Sequence, residues 1–559
     1  MTTQQAVLDN DAIREAIEAC LPADPSASLP DQQLFLPWPH RKALNLDCSL
    51  VIGARGVGKT AWARALLANQ DHQRTVALPS EIFPYPLTVV AGFSDQAQTS
   101  HPSGGIFAKL ISAQDDPYSL WLAVLLRALG SDNTSTLPLE SWVATFDWVR
   151  GHHEEAWAIL RQADQALLQE NRGLLLVFDA LDRVSPDGDW LQVSAAIRAL
   201  LRLILELKGF KRLHGKVFLR TDHYARGSFT DLPDIAKIRA NRVELLWTLT
   251  DLHGLLWQCL CNGTPCDARE HFRYWCQDAS AKSQDPAMEL FKNDLLLLRA
   301  PRKIRTSAAA TNKAHSPVKA WLRPDHQDRR FFAVPLNQSP AEDESSQNID
   351  ANHRWELPTA VQRDEPSQRA LFEKLAGRRM GRDSRRGVPY TWIVNHLADA
   401  QGQTTPRSFL TAIRKAAEES RHRYPDAEYP LFYDGLKLGV QAASSNRINE
   451  LEEDYPWLPA IMKPFSNRAS VPMTVAVFDE ELSEAFGLIP ADVPGLIERL
   501  PKELRSQGVH GLITYLCQLG LLTQMKDERL NMPDIYRIGF KLGRKGGIKP
   551  AQRSTYQAQ

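Results

Sequence analysis

Short apolar runs ending in polar residues alternate, over the first half of this chain, with stretches of helical periodicity. Residues 48–52, 174–178 and 216–222 read as strands buried on both faces, the pattern of a parallel sheet. A further strand is predicted at 87–91 and a last core run at 243–247. Helix formers fill 61–68 and 119–129. Leu252, Leu255 and Leu256 share one face of a helix predicted over 250–260. Strands alternating with helices in this way predict an α/β fold with a parallel sheet.

The first strand runs into Gly53-Ala54-Arg55-Gly56-Val57-Gly58-Lys59-Thr60, which meets the phosphate-loop pattern at every fixed position. The spacing explains the chemistry. Glycines let the backbone turn tightly and aim several N–H groups at one point, and the helix that follows adds its positive dipole end. Lys59 supplies an ammonium for the β- and γ-phosphates, and the Thr60 hydroxyl a ligand for Mg²⁺. Run 174–178 ends in Asp179, at the carboxyl edge where such sheets bind ligands, so Asp179 is the candidate second Mg²⁺ ligand. Asp182 is the candidate for orienting an attacking water; its alternative role is to cap a helix or pair with Arg183. Between Lys59 and Asp179 lie 120 positions, far more than one strand–helix step needs, so an insertion is expected at 70–165.

The apolar run followed by Asp179, Ala180, Leu181 and Asp182 resembles the STAND and KAP-like branches of the AAA+-related P-loop ATPases. The resemblance covers roughly residues 32–260. It implies ATP and Mg²⁺ as ligands and a P-loop core followed by a helical lid. It also implies a regulatory switch, oligomeric and controlling a partner effector, of the kind encoded in bacterial phage-defence clusters. Two departures stand out. Ala180 occupies the place where the AAA+ class most often has its general-base Glu, and the membrane helices of typical KAP proteins are missing. By the same resemblance, Thr221 or Asp222 senses the γ-phosphate, with Arg220 alternatively an ion-pair partner. Arg239 or Arg242 stands where an arginine finger sits, although a solvated surface arginine is the favoured reading of both. Arg407 is the lid arginine that reports the γ-phosphate, with Thr405 as N-cap and Pro406 at the first helical position; Arg302 is its rival.

Composition narrows this further. A chain of 559 residues exceeds one core and suggests several domains. Lys+Arg and Asp+Glu are both 66, which excludes a globally basic nucleic-acid binder but not a local basic patch. Seven cysteines are too few for disulfide scaffolding, and with no signal segment or apolar span the expected setting is cytoplasmic, away from membranes. Cys259, Cys261, Cys266, Cys276 and His271 cluster without paired C-x2-C knuckles, so buried thiols are favoured over zinc.

The expected organisation is an N-terminal helical segment at 1–31 and an ATPase core at 32–250. A helical lid follows at 251–425, with a flexible segment at 337–366. A helical region with a winged-helix-like C-terminal domain completes the chain at 426–559. Nine Lys/Arg against two acids in 299–330, and an acid-free basic run from 541 to 553, are the places where DNA contact is expected if it occurs. Three functions remain open: the regulatory ATPase, a DNA-binding initiator or loader, and a nucleotide-binding scaffold with little turnover.

Overall fold

In the computed structural model, five strands form one parallel sheet: β1 (Leu50–Gly53), β2 (Leu87–Phe93), β3 (Gly173–Phe178), β4 (Leu213–Arg220) and β5 (Val243–Glu244). Their spatial order is β2-β3-β4-β1-β5. The described residues are 8–25, 27–68, 83–96, 98–114, 116–130, 136–186, 188–227, 229, 232–263, 266–283, 354–381, 384–485 and 508–545. Residues up to Ala281 and from Arg354 onward form one compact unit, which holds everything described below. The basic segment 299–330, Arg302, and Lys549 and Arg553 of the C-terminal run lie outside the described residues.

Sheet burial follows the sequence pattern. Leu50 and Ile52 join one core with Leu174, Leu176, Phe178, Val217 and Leu219, while Val51, Leu175, Val177 and Phe218 join the other. Both faces are therefore dry, which is why these strands read as unbroken apolar runs rather than alternating ones. Helices from the predicted insertion and from 190–207 cover the first face, and Leu120 to Leu126 are fully buried there. The second face meets the N-terminal helix α1 (Asn10–Cys20), the helix α2 (Lys59–Leu67) and the lid helices. Lys216, fully buried on β4, donates to the carbonyls of Ala43 (2.7 Å), Asn45 (2.8 Å) and Cys48, pinning the turn that leads into β1.

Beyond the sheet, α3 (Leu249–Asn262) starts with a reciprocal capping box between Thr248 and Asp251. Within the expected lid region lie α4 (Pro389–His396) and α5 (Pro406–Arg423), and α6 (Tyr433–Asp454), from the region expected beyond it, packs against α5. Thr405 accepts a hydrogen bond from the Ser408 N–H and Pro406 opens α5. α5 and α6 approach backbone to backbone: a Cβ on Gly439 would fall 2.1 Å from the Ala412 carbonyl oxygen. Arg14 of α1 reaches into the lid and donates to the carbonyls of Pro430 (2.9 Å) and Pro425 (3.0 Å). In the C-terminal part, α7 (Gly508–Gln518) precedes an antiparallel pair, β6 (Thr523–Gln524) and β7 (Leu530–Asn531), followed by the short α8 (Asp534–Arg537).

Two expectations change. The segment read as flexible, 337–366, is helical from Thr359 onward: Val361 is buried and Asp364 caps the next helix through the Ser367 N–H, a polar cap that sequence composition alone reads as linker. The last core run, 243–247, forms a strand only at Val243–Glu244. Beyond it, Leu245 and Trp247 are buried outside the ladder, Trp247 donating its indole N–H to the Val57 carbonyl at 2.9 Å. Among the described residues, no helix is long and apolar enough to cross a membrane.

Candidate nucleotide site

The loop from Gly53 to Lys59 turns at the carboxyl edge of the sheet because two of its glycines take backbone angles closed to other residues. Gly56 has φ 82° and Gly58, the N-cap of α2, has φ 99°. Gly53 pairs in register with Arg220, so the loop begins directly beside the tip of β4. β3 lies on the far side of β4, and its final carboxylate meets the loop across that strand. Thr60 and the Ala180 N–H stand by the Asp179 carboxylate and favour its charged form. Ala180 itself sits in the left-handed region at φ 53°, a strained position immediately after the acid.

Asp179 is 5% exposed. Burial pushes its carboxyl pKa up, against the pull of the Thr60 hydrogen bond and the Lys59 charge. Burial also pushes the Lys59 ammonium down to about 8, with Asp179 opposing the shift and Arg220 adding to it. Lys59 Nζ donates to the loop's own Gly53 and Ala54 carbonyls, each at 2.9 Å. The amine and the carboxylate thus face one crevice.

That crevice is a cavity of about 670 Å³ whose walls include Arg55, Gly56, Gly58, Lys59, Thr60 and Asp179. Asp182, on the single 3₁₀ turn after Ala180, is exposed and faces it. Arg407 also lines it. The first turn of α5 packs onto the phosphate loop so closely that a Cβ on Gly56 would lie 3.3 Å from Arg407 Cβ and 3.4 Å from Thr405 Oγ1. Ala54 and Val57 complete the loop, Val57 being buried beneath it.

The sensor alternatives separate. Arg220 lines the cavity, whereas Thr221 opens a short helix and is not part of its wall. Asp222 is engaged elsewhere: it accepts from Arg220 (3.0 and 2.9 Å) and from the Tyr455 hydroxyl (2.6 Å). Against the cost of burial, the Arg220 guanidinium holds its carboxyl well below the usual carboxylate range. Arg239 is exposed and Arg242 lies over the Tyr224 ring; neither lines this cavity.

Three features were not foreseen from sequence. Asp95, just past β2, lines the cavity, raises the Asp179 pKa by its charge and pairs with Arg64 at 3.1 Å. Polar Ser94-Asp95 after an apolar strand at a carboxyl edge was the signal for it. The N-terminal segment contributes an apolar wall through Pro22, Leu29 and Leu34. The end of α6 brings a row of acids to the arginines of the site. Asp454 accepts from Arg55 (2.8 Å) and from both terminal nitrogens of Arg220 (2.8 and 2.7 Å), and Glu453 accepts from Arg55 at 2.5 Å. Glu450 accepts from Arg407 at 2.5 Å and from Arg447 at 2.9 Å.

The donors around Thr60 and Asp179 are hydroxyl and carboxylate oxygens, the hard set that suits Mg²⁺. The cysteines offer no such site. Cys259, Cys261 and Cys276 are fully buried, with the Cys261 and Cys276 sulfurs 3.7 Å apart, and burial pushes the Cys259 and Cys261 thiols up. The Cys266 side chain lies outside the described residues. Among the described residues no cluster of metal-binding side chains occurs.

A five-stranded parallel sheet with a phosphate loop after β1 and an acid after β3 is the α/β architecture of a P-loop NTPase core. No protein-family model matches the chain, and no curated protein matches it by sequence. Among solved structures it is similar to the Aeropyrum pernix ORC2 protein, solved as ADPNP–ADP complexes. The identity is 12%, 93% of each chain is covered, and the TM-score is 0.28, too distant a likeness to bear on function.

Proposed function

We propose that this chain binds and hydrolyses ATP with Mg²⁺ and uses the occupancy of the site as a conformational switch. One observation carries the reading: Thr60, Asp179, Lys59 and the glycine loop line one crevice. In this reading the loop N–H groups and the dipole end of α2 hold the phosphates, and Lys59 leaves its two carbonyl partners for them. Thr60 and Asp179 hold Mg²⁺, which when bound would neutralise phosphate charge during phosphoryl transfer. Asp182 or Asp95 orients the attacking water, because Ala180 offers no carboxylate. Arg407 and Arg220 exchange their α6 acids for phosphate oxygens, so the triphosphate competes with Glu450 and Asp454 for the same cations. Loss of the γ-phosphate on hydrolysis returns these arginines to the α6 acids, which is the switch.

The remaining parts of the resemblance belong to the same proposal: a homo-oligomer controlling a protein effector, in bacterial antiviral defence. Nucleotide-dependent change of mass in solution tests the first of these, and phage challenge of cells expressing the chain with its neighbouring genes tests the last. The founding test is simpler. Lys59→Ala in the full chain abolishes ATP binding and turnover with an unchanged circular-dichroism spectrum; normal ATP affinity in that variant removes the site assignment.

A second reading, a DNA-binding ATPase acting as initiator or loader, is favoured by the helix α7 and the hairpin β6–β7, an order similar to the end of a winged helix, and by the cations after them. DNA-stimulated hydrolysis with steep salt dependence separates it from the effector switch.

A further inference from the structure

A second cavity, of about 830 Å³, lies between the lid and the C-terminal part of the chain, away from the nucleotide site. Its walls come from α4, α6, α8 and the residues around 467–470 and 541–544. Five cations converge on it: Lys437, Arg468, Arg537, Lys541 and Arg544. One carboxylate, Asp534, is in the wall, and its side chain is only 3% exposed. It acts as an organiser rather than as a counter-ion for a ligand, since Arg537 and Arg544 both donate to its Oδ1 at 2.6 Å. Two further acids stand beside the cleft: Asp434 pairs with Lys437 at 2.7 Å, and Glu481 stands 4.0 Å from Arg468. Arg468 and Lys541 are exposed at the rim. In a chain of zero net charge this is a local excess of positive charge.

The helix–hairpin segment carries no such excess: α7 holds no Lys or Arg, and in the hairpin turn Lys526 and Arg529 are balanced by Asp527 and Glu528, Arg529 pairing with Asp527 at 2.8 Å. A winged-helix mode of DNA contact needs cations on those elements. Here the cations are on the cleft instead.

We propose that this cleft, and not the helix–hairpin, binds the phosphate backbone of a nucleic-acid strand. The inference rests on the second reading's premise that the chain contacts nucleic acid, and it names the place. The cavity is far larger than one phosphate ion needs, and its cations are distributed between the rim and the wall, as a chain of phosphates requires. Trp392, half-buried in the same wall with His396 stacked at 4.1 Å, adds an aromatic surface that suits bases.

The experiment measures anisotropy of labelled single- and double-stranded oligonucleotides with the full chain, at salt from about 50 to 200 mM. It compares the wild type with Arg468→Ala/Lys541→Ala and with the hairpin variant Lys526→Ala. Both cleft residues are exposed and neither contacts Asp534, so the variant keeps the fold. The expected result is binding that the cleft variant weakens by about tenfold or more, with the log–log salt slope reduced by about 2, while Lys526→Ala stays at wild-type affinity. Wild-type affinity and slope in the cleft variant, with loss in Lys526→Ala, overturn the cleft but leave the nucleic-acid reading standing. No binding by the wild type to either oligonucleotide overturns that reading itself. Displacement of the oligonucleotide by millimolar inorganic phosphate, or by polyglutamate at equal charge, overturns the assignment of the ligand.

Discussion

Replacing Asp454 by Asn tests the link between the lid and the nucleotide loop. The carboxylate accepts three hydrogen bonds from two guanidinium groups, Arg55 and Arg220, whose side chains are 27% and 14% exposed, and is itself 16% exposed. Hydrogen bonds to a charged partner contribute about 1.5–3 kcal/mol each when buried, and exposed ion pairs about 0–1 kcal/mol. Asn keeps one acceptor and the shape, Arg220 keeps Asp222, and Arg55 keeps Glu453, so the empty protein should lose about 2 kcal/mol. The opposite sign is expected for ligand. A triphosphate that must take Arg220 from Asp454 meets less competition, and up to about 2 kcal/mol is up to about a 30-fold gain in affinity. The assay is titration calorimetry with a non-hydrolysable ATP analogue and Mg²⁺, paired with thermal unfolding in the presence and absence of ligand. Lower stability together with unchanged or weaker nucleotide affinity refutes the competition between the acids and the phosphates.

The other expectations are these. Burial pushes the Lys59 ammonium down to about 8 and phosphates would restore its charge, so ATP binding takes up a proton around pH 8.5 and weakens as pH rises above about 8; binding enthalpies that do not vary with buffer ionisation enthalpy at that pH count against it. Asp182→Asn and Asp95→Asn distinguish the two water-orienting carboxylates: the true one slows turnover by about a hundredfold or more with little change in ATP affinity, and equal, small effects from both dismiss the pair. His253 is buried against Tyr390 and its pKa is pushed down to about 3 by burial, while the unfolded chain protonates near 6.5. The unfolded state therefore binds the extra proton below 6.5, and stability falls by up to about 1.4 kcal/mol per pH unit between 6.5 and about 3. His253→Phe should lack that dependence, so a wild-type-minus-variant stability difference that stays flat across this range contradicts it.

The sheet was legible because strands buried on both faces leave continuous apolar runs, and the loop because its glycines and Lys59-Thr60 are adjacent in sequence. Thr405 and Pro406 announced the start of α5 by local cap chemistry. What stayed hidden depends on distant pairing. Nothing local to Asp454 signals that it will meet Arg55, 399 positions earlier, because an acid at a helix end is equally at home in water. Asp95 was missed since a polar turn after a strand carries the same residues whether or not it faces a ligand. The helical return at Thr359 was missed because its polar caps resemble linker composition. Trp247 shows the limit of an apolar run: the same residues that could extend a strand are spent on bracing the phosphate loop from below.

The wall of the nucleotide cavity is assembled from stretches near residues 22–34, 55–64, 95, 179–183, 218–223, 406–411 and 453–454. A ligand held there fastens together pieces that are hundreds of positions apart, including the segment just after α1, the helix whose Arg14 donates to the Pro430 carbonyl. Cutting the chain after the sheet, at about residue 250, therefore leaves no complete cavity: it would keep the loop and strip away its roof. Modularity in this protein stops short of its binding site, and the far end of the polypeptide is a working part of the near one.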